Sequence, residues 1–338
     1  MANIAKEIGV SHATVSLALR NHPRISPAMR KQIQDKALEM GYQPDPMLTI
    51  LAHYRHGRTQ SNVQAAIAWI NCWAIPKELR NFREFDGYWQ GASEAAQKFG
   101  YRLEEFIVDK NMPLSRLEKI LITRNIKGIL LPPHQASPDW KDFNWNHFSV
   151  VRLGRSVQRP EMHVVTADQM ANTMLAVRKI LEKGYKRIGY VGDKRPMRAF
   201  SAGFMQVQLE LPQKLRIPPL LLTEGASENT RLLIKWITRY KPQAVIADLG
   251  DVPGLLRAAG LRTPQDIPLV GLSHLDGNIS AGIDQHPIEI GRVATLTVIS
   301  LINDFAEGIP TIFRQILVEG SWVDGPSLPP LPVGKLIT

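Results

Sequence analysis

Along the first forty residues the hydrophobic positions recur every third or fourth place. Ala2, Ile4, Ala5 and Ile8 share one helical face and Gly9 follows, so the spacing predicts a short helix closed by a left-handed residue. Ser11 stands where an N-cap belongs, ahead of a second helix over residues 12–19 that turns Val15, Ala18 and Leu19 inward. Ser26-Pro27 opens a third helix, again a cap followed by proline in the first turn. It directs Ile33, Ala37, Leu38 and Met40 to the core and ends at Gly41. Three short helices with a tight glycine turn between the first two close a small core of their own.

The period changes further on. Short apolar runs at 65–70, 126–131, 150–153, 187–191, 244–247 and 269–272 alternate with helical patterns at 87–99, 168–181 and 287–307. That alternation is the βαβ signature of parallel sheets. Between the two regimes, Pro44-Asp45-Pro46 stops one helix and sets up another, about 46–54. Its apolar members Met47, Leu48, Ile50 and Leu51 are too few for a core, so this helix needs a partner. The expected organisation is an all-α helix-turn-helix headpiece (1–45), a hinge helix and linker (46–61), an α/β body (62–325) and a tail (326–338).

Charge sharpens the reading. The chain carries a formal +10, and residues 1–58 hold eight Lys or Arg against four acids. A basic headpiece points to a polyanionic partner. Cys72 is the single cysteine, which excludes an intramolecular disulfide and suits a reducing, cytoplasmic compartment. There is no signal-peptide pattern and no apolar run of about 18 residues, so neither export nor a membrane span is expected.

The outer face of the second helix supplies the chemistry. His12, Ala13, Thr14, Ser16, Leu17, Arg20 and Asn21 form a surface of small or hydrogen-bonding side chains with a cation at its end. Such a surface fits a DNA groove and its phosphates, whereas a hairpin that merely packs has no need of it. At this point the sequence resembles the lactose and galactose repressor family, through Ile4-Ala5, Gly9-Val10-Ser11, Thr14-Val15-Ser16, Ile25-Ser26 and Gly41-Tyr42-Gln43-Pro44. The resemblance continues in the run from Gly184 to Gly192, in Gly203-Phe204, in the run from Gly260 to Ile267 and in Asp284-Gln285, so it spans essentially the whole chain.

The resemblance implies roles. His12, Ala13 and Leu17 would read bases, while Ser11, Thr14, Ser16 and Asn21 would anchor to phosphates. Ala13 and Leu17 cannot donate hydrogen bonds, so their readout would be apolar contact such as thymine methyl groups. Leu51 matches the family leucine that wedges into the minor groove, although Leu48 and Thr49 replace the usual Ala and Arg, and an ordinary interdomain helix is the other reading. The body would be two lobes, one of 62–157 and 288–311, the other of 158–287 and 312–325, with a small-molecule effector, a sugar in the family, in the cleft. The protein would act as a homodimer on a palindromic operator, with the helix at 87–99 a candidate for pairing, and with no cofactor or metal.

In the cleft the family pattern breaks. The Arg and Asp that commonly hold sugar hydroxyls correspond here to Phe200 and Ser273, with Arg198 and Asp248 as candidate substitutes. Asn71, Trp73, Phe85, Arg155 and Gln285 also fall at expected strand ends or loops, where an aromatic can stack on a ring ligand or simply pack in the core. No metalloprotease His pair, phosphate loop or nucleophile elbow occurs, and Ser273, His274 and Asp276 are too close in sequence to converge as a triad. The expected class is therefore a non-enzymatic transcriptional regulator, against two alternatives: a receptor without DNA binding, or a sugar-modifying enzyme on a similar fold.

Overall fold

A computed structural model describes residues 2–19, 24–40, 65–109, 111–135, 138–157, 159–193, 199–222, 226–275 and 278–331. The hinge helix, Leu51, Arg20, Asn21, Arg198 and most of the tail lie outside these residues.

The headpiece forms as its caps and spacing dictate. Helices α1 (Ala2–Ile8), α2 (His12–Leu19) and α3 (Pro27–Glu39) surround Ile4, Ala5, Val15, Ala18, Ile33 and Ala37, all buried. Gly9 takes φ +73°, and the Val10 N–H returns to the Ala5 carbonyl at 3.0 Å, so the turn satisfies a helix-end carbonyl while reversing the chain. The Ser11 hydroxyl accepts the Thr14 N–H at 3.0 Å and the Ser26 hydroxyl that of Met29 at 3.3 Å, one cap for each following helix. Met40 departs from expectation. It lies one residue past the end of α3 and is 41 % exposed, because helical periodicity no longer governs it there.

The body contains two six-stranded sheets. In the first, β1 (Ala65–Asn71), β2 (Tyr101–Ile107), β3 (Gly128–Leu131), β4 (Ser149–Leu153), β5 (His163–Ala167) and β11 (Gln315–Val318) run parallel in the order β11-β5-β4-β3-β1-β2. In the second, β6 (Ile188–Asp193), β7 (Leu220–Leu222), β8 (Ala244–Ala247), β9 (Leu269–Gly271), β10 (Gly282–Asp284) and β12 (Ser321–Val323) follow the order β12-β10-β9-β8-β6-β7. Only the β10–β12 pairing among them is antiparallel. Central strands such as β3 and β8 are buried at every position, as strands covered by helices on both faces must be.

The lobes divide elsewhere than expected. Strands β5 and β11, assigned from sequence to lobe two, pair with each other and with β4 in the first sheet. Lobe one therefore runs to Ala167 and includes β11. Beyond β5, helix α6 (Gln169–Glu182), capped by Asp168, packs on β8, β10 and β12 of lobe two. The chain returns between β10 and α10 (Pro287–Asn303), which packs on β3, β4 and β5, and crosses a third time between β11 and β12. At the second crossing His286 adopts φ 54°, with its N–H bound to Asp284 Oδ1 at 2.8 Å.

Helix α10 meets α4 (Arg83–Lys98) at very short range. A Cβ on Gly91 would sit 1.8 Å from the Ile288 carbonyl oxygen, and one on Gly291 would sit 2.0 Å from that of Tyr88. The small-residue face of α4 is thus filled by α10 within the protomer. Its outward residues Gln90, Glu94, Gln97 and Lys98 are polar, and Phe99, just past its end, is exposed.

Candidate nucleic-acid interface and interlobe cleft

Two sites emerge, one on each part of the chain. On the headpiece, burial of Val15 and Ala18 fixes the rotation of α2, which leaves Ser11, His12 and Ala13 exposed and Thr14, Ser16 and Leu17 half-buried. The Ser11 and Thr14 hydroxyls lie 2.9 Å apart, so the cap that starts α2 also organises the first polar contact of its outer face. The second helix can enter a groove because Gly9 keeps the turn before it short.

In the body, a cavity of about 680 Å³ lies between the lobes. The expected residues Trp73, Phe85, Arg155, Asp248, Ser273 and Gln285 all line it, together with Phe200. Trp73 is nearly fully buried, and its indole N–H donates to the Pro133 carbonyl at 2.7 Å, so it is at once a core residue and a wall of the cleft. Arg155 Nη2 donates to Gln315 Oε1 at 2.9 Å, which ties the loop after β4 to the β11 edge. On the opposite lobe, Asp248 accepts the Tyr190 hydroxyl at 3.0 Å, and the Gln285 amide donates to the Leu272 carbonyl at 2.7 Å.

Asn71 does not belong to the cleft. It is fully buried, its amide nitrogen donating to Pro76 O at 3.0 Å and Glu105 Oε1 at 2.9 Å while its oxygen accepts the Trp73 N–H at 3.0 Å. With those bonds it shapes the turn that presents Trp73. Sequence reasoning missed Phe82, Glu84 and Tyr88, which also line the cavity. Their signal was the run Phe82, Phe85, Tyr88, spaced by three so that one side of a helix start carries aromatic rings.

Two buried titratable groups are held in their neutral forms. Burial pushes the Cys72 thiol up to about 12, which keeps it from acting as a thiolate. Burial holds the His134 imidazole, another cavity residue, down to about 4, so it is neutral at physiological pH. Among the described residues no group of three His, Cys, Asp or Glu is placed to hold a metal ion, and no helix is long and apolar enough to cross a membrane.

Comparison with known proteins matches both parts of the chain. Residues 1–45 match the family model "Bacterial regulatory proteins, lacI family", and residues 177–328 match "Periplasmic binding protein-like domain". The lacI-family match thus falls on the headpiece and the second match on the body. The HTH-type transcriptional repressor CytR of Escherichia coli K12 is 24 % identical over 344 residues, covering 95 % of each chain. The chain shares its fold with the transcriptional regulator CelR in complex with cellobiose, at TM-score 0.56, 17 % identity, 96 % coverage of this chain and 98 % of that one. It also matches the lac repressor dimer bound to operator and the anti-inducer ONPF, at TM-score 0.55, 15 % identity and the same coverage. The similar proteins are transcriptional regulators, which sets aside the sugar-modifying enzyme.

Proposed function

We propose that the chain is a lacI-family regulator that binds a palindromic operator as a homodimer, reads each half-site with the outer face of α2, and is controlled by a small, sugar-containing effector held between its lobes. The observation that carries the reading is the headpiece itself: a buried three-helix core, a left-handed Gly9 turn and a capped α2 whose exposed face is made of groove-compatible side chains. His12 is the polar base reader, Ala13 and Leu17 contribute apolar contacts, and Ser11, Thr14 and Ser16 anchor to phosphates. Arg20, Asn21 and the Leu51 wedge complete the same scheme. Domain limits of 1–45 and 46–61 for headpiece and hinge, and a tail after the last lobe-two strand, follow from it.

The proposed control step needs only that the effector bind one lobe arrangement better than another. Three chain crossings join the lobes, so a change in lobe angle would alter the spacing of two headpieces on the DNA. The relatives' sugar ligands and the dimeric neighbour support this picture.

The test is selection of bound sequences from random DNA, followed by affinity measurements on the enriched site between 50 and 200 mM salt. A palindromic consensus is expected, with log affinity falling linearly against log salt by about 0.9 per phosphate contact. A protein that enriches no sequence and shows no salt dependence is not this regulator. Light scattering at micromolar concentration tests the dimer, and a monomer there contradicts it.

A further inference from the structure

The lobe-one wall of the cleft is built on a cluster of aromatic rings, of which Phe82 and Phe85 keep the most exposed surface. Four rings of lobe one are contiguous: Trp73 lies 5.6 Å from Phe82 and 6.3 Å from Phe85, Phe82 lies 5.3 Å from Phe85, and Phe85 lies 5.8 Å from Tyr88. All four line the interlobe cavity, and Phe200 adds a fifth ring from lobe two. Phe200 is 3 % exposed and stands where the family resemblance places a sugar-holding arginine. Phe82, in contrast, is 42 % exposed at the same cavity. Its ring packs on Trp73 and Phe85 on one side, and the rest of it is open to a ligand in the cavity.

Polar side chains line the cavity from both lobes, among them Glu84, Arg155, Arg159 and Gln169. The Trp73 indole N–H is bound to Pro133, so that residue offers a ligand only its ring. Ser273 lines the cavity at the position where the family resemblance places an aspartate. A pyranose presents C–H groups on two small faces, enough for two rings. A cavity of about 680 Å³ walled by five rings accommodates a larger ligand with a flat apolar part.

We infer that the effector is a hydroxylated compound carrying an aromatic ring, of the aryl glycoside class, with its ring against the Trp73, Phe82, Phe85 and Tyr88 wall and Phe200 facing it across the lobes. The inference rests on the effector-controlled reading above and specifies its ligand. Asp248, Ser273 and Gln285 remain at the cavity for the hydroxylated part. The ring supplies burial, and the hydroxyls supply orientation.

The experiment is calorimetric titration of the full chain with matched pairs: 4-nitrophenyl and methyl glycosides of α- and β-glucose and α- and β-galactose, plus 4-nitrophenol alone. At least one aryl member is expected to bind about tenfold tighter than its methyl counterpart, the order of one aromatic contact. Phe82→Ala, on an exposed side chain, is expected to weaken the aryl member by about three- to tenfold and to leave the methyl member unchanged. Phe85→Leu, which keeps the wall filled, is the second variant and should weaken the aryl member in the same sense. Binding of 4-nitrophenol as tight as the glycoside would assign the ligand to free phenols, within the same ring chemistry. Methyl glycosides that bind as well as aryl ones, or binding by no member, overturn the inference. Operator affinity measured on the same samples keeps the two readings apart, because DNA binding together with methyl-glycoside binding leaves the regulator intact and removes only the ring.

Discussion

Replacing Gly91 with alanine sets two physical effects against each other. Helix propensity alone makes the change favourable by about 1 kcal/mol, since glycine is a poor residue in the middle of a helix. The tertiary structure reverses the sign. The new Cβ would sit 1.8 Å from the Ile288 carbonyl oxygen, 2.7 Å from its carbon and 3.0 Å from its Cα. Carbon–oxygen contacts settle near about 3.3 Å, so α4 and α10 must part by about 1.5 Å at their crossing. The obstacle is backbone, which no rotamer change removes. Overpacking of this kind costs up to about 3 kcal/mol, leaving a net loss of about 2 kcal/mol after the propensity gain. Because α4 also carries Phe85 and Tyr88, the same displacement disturbs the cleft wall and should weaken effector binding. Urea unfolding of the full chain, followed by tryptophan fluorescence, should show the body's midpoint fall by about 1 M. A midpoint that stays or rises would refute the close crossing, and Gly291→Ala, whose Cβ would meet the Tyr88 oxygen at 2.0 Å, should behave alike.

Other expectations follow from single groups. Val15→Ala, at a fully buried headpiece position, should cost about 2 kcal/mol, measured as faster proteolysis within residues 1–40 and weaker operator binding with the body's unfolding unchanged. His134 has a folded-state pKa of about 4, below its unfolded value, so the unfolded chain binds the extra proton and stability falls on acidification through that window. Between pH 7 and pH 5 this group should remove about 2 kcal/mol, and in His134→Gln denaturation curves at the two pH values should differ by correspondingly less. Trp73→Phe leaves the buried Pro133 carbonyl without its 2.7 Å donor, an expected loss of about 1–3 kcal/mol in thermal or urea unfolding; equal stability would mean that water or another donor replaces it.

Much of the headpiece was legible because its determinants are local. The Ser11 cap spans three residues, the Gly9 turn needs one left-handed residue, and the i, i+3 pattern of each helix records which side meets the others. The buried strands were legible for a related reason: a strand covered on both faces is a continuous apolar run, and the run at 244–247 coincides with β8. Strand β2 was hidden by the opposite circumstance. It lies at a sheet edge, where Arg102, Glu104 and Glu105 interrupt the hydrophobic signal.

The sequence by itself determined the capped helix-turn-helix, the α/β character of the body and a minority of the side chains that line the cleft. Tertiary structure alone decided that β5 and β11 complete the first sheet, that Asn71 turns inward to hold the Trp73 loop, and that Gly91 and Gly291 lie against a facing backbone. The physical reason is distance along the chain. A cap or turn is settled by neighbours within a few residues, whereas β11 finds β5 across some 150 residues, and α4 meets α10 across about 200. Nothing in a short apolar strand or a lone helical glycine specifies which of several remote partners will cover it.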